Sequence, residues 1–289
     1  MKNIIIFSSE NFFKKNLVQY VYKKNLNYKL IFFSNFSNKN ILLIKKIISK
    51  NSFVIVNTGL SGSIQYNIKN GPKIYEYNTK LYYNILTNLR KLSFRKVFFV
   101  SASCAYPNDK NILNEKYYGF PPLEITNYFY SLSKIFATNI CKQINLNKNF
   151  NYITLVPATL YGKFSNYHKI NSHVLTALLN KLKSKTKNLV LWGSGKPKRE
   201  FIFIEDFIDA IFFIYSHNLK KDIINVGTKE DVSIKKLTNI IKKLVNFKGK
   251  ITWDKTKEDG MMRKLLDSSY LFKKGWKPQK KLYQRLKEL

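Results

Sequence analysis

The sequence predicts an α/β fold in which a parallel sheet is covered by helices on both faces. Two observations carry this. Short, near-continuous apolar runs alternate with helical patterns through the first two-thirds of the chain, as expected of strands buried on both sides. The chain is also long enough, at 289 residues with 45% hydrophobic and 15% aromatic content, to bury a substantial core.

The elements follow in order. Strands are expected at 3–7, 29–33 (KLIFF), 53–57 (FVIVN), 96–101 (KVFFVS), 152–157 (YITLVP) and 189–192 (LVLW). Helices are expected at 12–24, 40–49, 73–92, 126–146 and 171–185, where apolar positions recur at helical spacing. After residue 200 come a helix at 205–217, a strand at 222–226 and a helix at 233–246, then a strongly basic, less regular end. A second lobe is expected to begin near residue 163, with some later segments returning to the sheet.

Composition excludes several classes. Cys104 and Cys141 make no disulfide framework, which points to a reducing cytoplasm. No apolar run reaches the ~18 residues that span a bilayer, and the first apolar run is too short for a signal peptide. The net charge of +34 could suit nucleic acid. Yet the lysines come singly or in pairs along the whole chain, as a biased overall composition gives, and no nucleic-acid-binding motif accompanies them. An anionic small substrate suits the charge equally. No metal-ligand spacing is present.

Two stretches carry chemistry. In Tyr130-Ser-Leu-Ser-Lys134 the tyrosine and lysine share one helix face, and a lysine beside a phenol favours the phenolate. Ser101-Ala-Ser-Cys-Ala-Tyr-Pro107 directly follows a strand, at the carboxyl edge where parallel sheets place ligands. Each alone has a structural explanation: a snorkelling lysine, a proline-closed turn.

Together, in this order, they resemble the extended short-chain dehydrogenase/reductase superfamily of nucleotide-sugar epimerases and dehydratases. Pro157-Ala-Thr-Leu-Tyr-Gly162, Asn171-Ser-His-Val174, Trp192-Gly-Ser-Gly195 with Arg199-Glu-Phe201, Lys257-Glu-Asp-Gly with Arg263-Lys-Leu-Leu-Asp267, and Gly275-Trp-Lys-Pro278 narrow the resemblance to its GDP-L-fucose synthase branch. The resemblance implies a Rossmann-type dinucleotide-binding domain over 1–162 and a smaller, mainly substrate-binding lobe over 163–289. It implies conversion of a GDP-4-keto-6-deoxy-hexose by proton transfer and by hydride transfer from NADPH. Tyr130 and Lys134 match the tyrosine that protonates the C4 oxygen and its lysine. Cys104 and His173 match the pair that moves protons beside the keto group. Trp192 and Arg199 match positions that hold the nucleotide diphosphate. Lys257 falls at another substrate position, and Lys181 stands where an arginine is usual. A homodimer, or a heteromer with a homologue, is implied through a bundle using helices 73–92 and 126–146.

The departures cluster on the cofactor. The G-x-x-G-x-x-G positions that would bind it fall on Ser8, Asn11 and Lys14, and no glycine precedes Gly59. Those glycines normally allow a tight turn and close approach of backbone to pyrophosphate. The second strand ends without an acid for a ribose hydroxyl or an arginine for a 2′-phosphate. The usual catalytic serine falls on Ala102, leaving Ser103 as the neighbouring hydroxyl that a bulge could bring round, and Thr159 replaces an asparagine. A cofactor-poor, nucleotide-sugar-binding relative is therefore the alternative reading.

Overall fold

The computed structural model describes residues 2–34, 37–47, 52–165, 174–183, 187–257 and 259–289. The chain runs β1 (Lys2–Phe7), α1 (Asn11–Lys23), β2 (Tyr28–Phe33), α2 (Asn38–Ile47), β3 (Phe53–Val56), α3 (Ile64–Lys69), α4 (Gly71–Lys91), β4 (Lys96–Val100), α5 (Tyr128–Asn145) and β5 (Asn151–Pro157). It continues β6 (Thr159–Tyr161), α6 (Val174–Lys183), β7 (Asn188–Trp192), β8 (Lys198–Phe203), α7 (Ile204–Ser216), β9 (Ile223–Val226), β10 (Asp231–Ser233) and α8 (Ile234–Leu244). It ends β11 (Lys250–Asp254), β12 (Arg263–Lys264), α9 (Ser269–Lys273) and α10 (Leu282–Leu286).

Six strands form the main sheet in the order β2-β1-β3-β4-β5-β9, and every pairing in it is parallel. Alternation along β1 divides the core. Ile4 and Ile6 join one apolar cluster and Ile5 and Phe7 the other, because successive side chains leave a strand on opposite faces. On α1, Phe13, Asn16, Leu17, Tyr20 and Val21 are buried, a helical spacing that presses one stripe onto the sheet. The helix stops at Asn25, whose φ of 48° reverses the chain. Pairs α1 with α7 and α4 with α5 pack against one another.

The strand order reverses between β1 and β3, so the crevice outside their carboxyl ends is the place for a ligand. Three segments meet there: residues 8–10 after β1, 57–63 after β3 and 101–107 after β4.

The second lobe is smaller. β8 pairs with β6, β10 and β12, and β7 pairs with β11. The strand expected at 189–192 thus lies in a separate two-stranded ribbon, not in the main sheet. Its burial alternates exposed and buried, which marks one wet face. β9 joins the main sheet beside β5, and α7 packs on α1. Glu200 on β8 ties the two lobes together. Its Oε1 accepts from the amides of Thr228 (2.6 Å) and Lys229 (2.8 Å), and its Oε2 from that of Leu266 (2.9 Å). No helix among the described residues is long and apolar enough to cross a membrane.

Candidate active site

Tyr130 and Lys134 sit one turn apart on α5, facing the crevice from the β4 side. Lys134 is buried, and its ammonium donates to the carbonyls of Val100 (2.9 Å) and Thr58 (3.5 Å), at the ends of β4 and β3. It also lies 4.8 Å from the ring centre of Tyr82 and 5.6 Å from that of Tyr130. Burial pulls its pKa down to about 8, against the opposing fields of Glu10 and Cys104. Tyr130 moves the other way. Burial, then the Cys104 and Glu10 charges, push its pKa far up, while a hydrogen bond with Ser61 opposes them. Burial thus favours the protonated phenol, the form that donates to a developing oxyanion.

Cys104 lies in a short 3-10 turn, Ser103–Ala105, directly after β4. It is buried, and burial raises its thiol pKa, with Lys264 the first opposing influence. A chain of contacts connects the two. Ser131 Oγ donates to the Cys104 carbonyl (2.9 Å) and to that of Asn127 (2.9 Å). Asn127 donates to Glu124 (3.0 Å), which forms a 2.7 Å ion pair with Lys264. Arg199 joins this wall from β8, donating to the carbonyls of Met261 (2.6 Å) and Lys198 (2.8 Å).

The hydroxyls around Cys104 divide. Ser101 is buried and bonded to Tyr118 at 2.5 Å, so it faces the core. Ala102 is extended, with φ −147° and ψ 150°. Ser103 begins the 3-10 turn instead of continuing the strand, is half-buried, and its hydroxyl has no hydrogen-bond partner among the described residues.

Two asparagines that the sequence did not single out shape the floor. Asn78, buried within α4, accepts from the Leu60 amide (2.6 Å) and donates to the Leu60 carbonyl (3.0 Å) and to Ser133 (3.3 Å). Asn67 accepts from the Gly62 amide (2.8 Å) and donates to Asn127 (2.9 Å). Gly59 has φ +123° and lies against the Tyr82 hydroxyl where a side chain would stand, so only glycine fits this turn. The one available signal was an amide on the buried stripe of an amphipathic helix.

Trp192 ends β7, is 64% exposed, and stands opposite Asp254 of β11. Lys257 is exposed just beyond that strand. Asp259 ties this end of the ribbon to Ser194 through its amide (2.9 Å) and hydroxyl (2.5 Å). Lys181 is exposed on α6. His173, with Asn171 and Ser172, lies outside the described residues. Among those described, no group of three or more His, Cys, Asp or Glu side chains could hold a metal ion.

The residues of the first turn depart from the glycine-rich turn that usually meets a dinucleotide pyrophosphate. The Ser8 amide is committed to the Phe33 carbonyl (3.0 Å) and the Glu10 amide to Ser8 Oγ (3.2 Å). Asn11 and Lys14 lie in the first turn of α1, and the Lys14 side chain occupies a half-buried position where glycine would let the backbone approach.

Comparison with known proteins agrees with the geometry. Residues 14–227 match the model of the NAD dependent epimerase/dehydratase family. The chain is 35% identical to a probable GDP-L-fucose synthase 1 of Oryza sativa subsp. japonica, over 82% of this chain and 74% of that one. It is also 35% identical to a GDP-L-colitose synthase of Yersinia pseudotuberculosis, over 78% and 76%. Its fold matches a GDP-mannoheptose C4 reductase from Campylobacter jejuni, solved with NADP bound, at TM-score 0.84 and 26% identity, covering 99% and 96%. With the family model matched over residues 14–227 and relatives 35% identical over most of their length, this chain belongs to the NAD dependent epimerase/dehydratase family.

Proposed function

We propose that this protein is a nucleotide-sugar epimerase/reductase acting on a GDP-4-keto-6-deoxy-hexose. The observation that carries the reading is the convergence of Tyr130, Cys104 and the Glu124–Lys264–Arg199 wall on one crevice. A ketone at C4 acidifies the C–H bonds on either side of it. Cys104, as thiolate, takes one of these protons. Tyr130 donates a hydrogen bond to the enolate oxygen that forms, and a proton returned to the opposite face inverts the carbon. His173 is the candidate for that return. Arg199 and Trp192 would hold the diphosphate and base ends by charge and by stacking. The resemblance adds reduction at C4, for which a bound NADPH would supply the hydride while Tyr130 gives the C4 oxygen its proton.

The test is proton exchange. In D2O, wild-type protein should introduce deuterium beside the ketone of GDP-4-keto-6-deoxy-mannose, followed by NMR, with a rate that climbs with pH because burial holds the Cys104 thiol above its ordinary value. Cys104→Ser should slow exchange by ~10²-fold or more; exchange unaffected by that change would refute the assignment.

Pairing of two copies is part of the same proposal. Tyr77 (53% exposed) and Tyr83 (58%) on α4, and Tyr128 (44%) and Phe129 (38%) on α5, offer exposed aromatic rings on the packed α4–α5 pair. Sedimentation should give twice 34.1 kDa. A monomer whose size does not change with concentration would count against it.

A further inference from the structure

We infer that Ser61 is a positioning residue for Tyr130: its hydroxyl donates to the phenolic oxygen and leaves the phenol's own hydrogen aimed into the crevice. The inference rests on the nucleotide-sugar reading above and adds to it the hydroxyl that Ala102 does not supply.

The geometry is a pair of ties. After β3 the chain passes through residues 57–63 before α3 begins. Leu60 is gripped by Asn78 of α4, which accepts from its amide (2.6 Å) and donates to its carbonyl (3.0 Å). The Asn78 side chain also donates to Ser133 of α5 (3.3 Å). Two residues further on, the Gly62 amide donates to Asn67 of α3 (2.8 Å), and Asn67 donates to Asn127, just before α5 (2.9 Å). Ser61 is thus the residue between the two tied positions of the loop, and Tyr130 is midway between the two tied positions at the start of α5. The paired ties bring these side chains together, and they meet in a hydrogen bond. The loop is anchored at both ends. The Thr58 carbonyl accepts from Tyr82 (2.9 Å) and Lys134 (3.5 Å), and Ser63 caps α3 by accepting from the Tyr66 amide (3.3 Å).

The other groups nearby do not hold the phenol. The Lys134 ammonium is committed to the carbonyls of Val100 and Thr58 and stands 5.6 Å from the centre of the Tyr130 ring. Ser101 is bonded to Tyr118 in the core. The Ser103 hydroxyl bonds to nothing among the described residues.

A phenol oxygen that accepts one hydrogen bond keeps its own hydrogen to give. With Ser61 on the loop side, that hydrogen is left for the C4 oxygen of a ketone in the crevice. As the enolate forms and draws on it, negative charge gathers on the Tyr130 oxygen. The Ser61 hydroxyl is a donor already in place to meet that charge. Burial, then the charges of Cys104 and Glu10, hold the phenol protonated, and the Ser61 bond acts against them.

The experiment is a double-mutant cycle on deuterium exchange beside the C4 ketone of GDP-4-keto-6-deoxy-mannose, with Ser61→Ala, Tyr130→Phe and both together. Ser61→Ala should slow exchange by ~10–100-fold, the range for one hydrogen bond to a group that gains charge, and Ser61→Thr should restore most of the rate. In the Tyr130→Phe background the same change should alter the rate by less than about twofold, because Ser61 acts through the oxygen already removed. Ser61 is an exposed loop residue, so GDP affinity by calorimetry should be the same in every variant. Effects that multiply in the two backgrounds overturn the inference, as does a wild-type rate in Ser61→Ala. A GDP affinity that falls in step with the rate overturns it too, since Ser61 would then be holding the loop rather than the phenol. The contact is read separately in protein carrying carbon-13 at tyrosine Cζ, where the Tyr130 resonance is identified by its loss in Tyr130→Phe. That resonance should move in Ser61→Ala and return in Ser61→Thr; one indifferent to Ser61 overturns the inference with no substrate present. Absence of exchange in wild type would sink the nucleotide-sugar reading instead, while the Tyr130 resonance would still judge Ser61.

Discussion

Replacement of Arg285 by leucine is expected to destabilise the fold by about 3–5 kcal/mol, the usual cost of orphaning one partner of a buried ion pair. Arg285 on α10 and Asp206 at the start of α7 are 4% and 2% exposed, and they meet at 2.6 Å. The guanidinium also reaches Glu288 at 3.1 Å and lies over the Phe203 ring at 4.5 Å. Leucine would keep much of the apolar contact and leave the Asp206 carboxylate without its cation. Among the described residues that carboxylate otherwise accepts from the Gln279 amide alone, at 3.3 Å. Urea denaturation is the measurement. The companion Asp206→Leu/Arg285→Leu protein should recover part of the loss, because replacing both charges removes the desolvation cost along with the pairing. A loss under about 1 kcal/mol in the single variant would place the pair among weak surface bridges.

Tyr130→Phe is expected to slow deuterium exchange beside the C4 ketone by about 10²–10⁴-fold, the range for loss of a positioned general acid. The change removes one oxygen and keeps the ring that packs 5.6 Å from the Lys134 ammonium, so folding and GDP affinity should be retained. Such a fall in turnover, with binding held, marks a contact made in the transition state. Exchange within about threefold of wild type would mean that another donor meets the enolate oxygen. Ser61, the hydroxyl bonded to Tyr130, would be the first to examine, since Ala102 supplies none.

The sequence was most legible where one local period ruled. β1 to β5 are short apolar runs bounded by polar turns, and α1, α4 and α5 carry clean stripes. Tyr130, Lys134 and Cys104 could be singled out because their spacing within a helix, or after a strand, is itself the signal. β8 was hidden because KREFIF runs into α7 with no turn between them, so a two-residue period merges into a helical one. β6 is three residues long and α3 six, too short for a period to register. The 189–192 run looked like a central strand because its composition is apolar, whereas its partner β11 lies some 60 residues further on. Asn78, Asn67, Glu124 and Lys264 were invisible for a related reason. Their roles come from partners distant in sequence, and no local pattern encodes a Glu124–Lys264 pair separated by 140 positions. The altered first turn is the converse case: the missing glycines were plain in the sequence, but the Ser8 amide bonded to Phe33 was not.

Glu200 gives the joint between the two lobes a particular character. One carboxylate gathers amides from the segment after β9 and the segment after β12, while its own strand continues without a break into α7. Opening the cleft at this joint would strip those amides from a buried acceptor, so β8 is clamped against the segments after β9 and β12. Such a joint resists hinge opening, because a buried carboxylate stripped of its donors is costly.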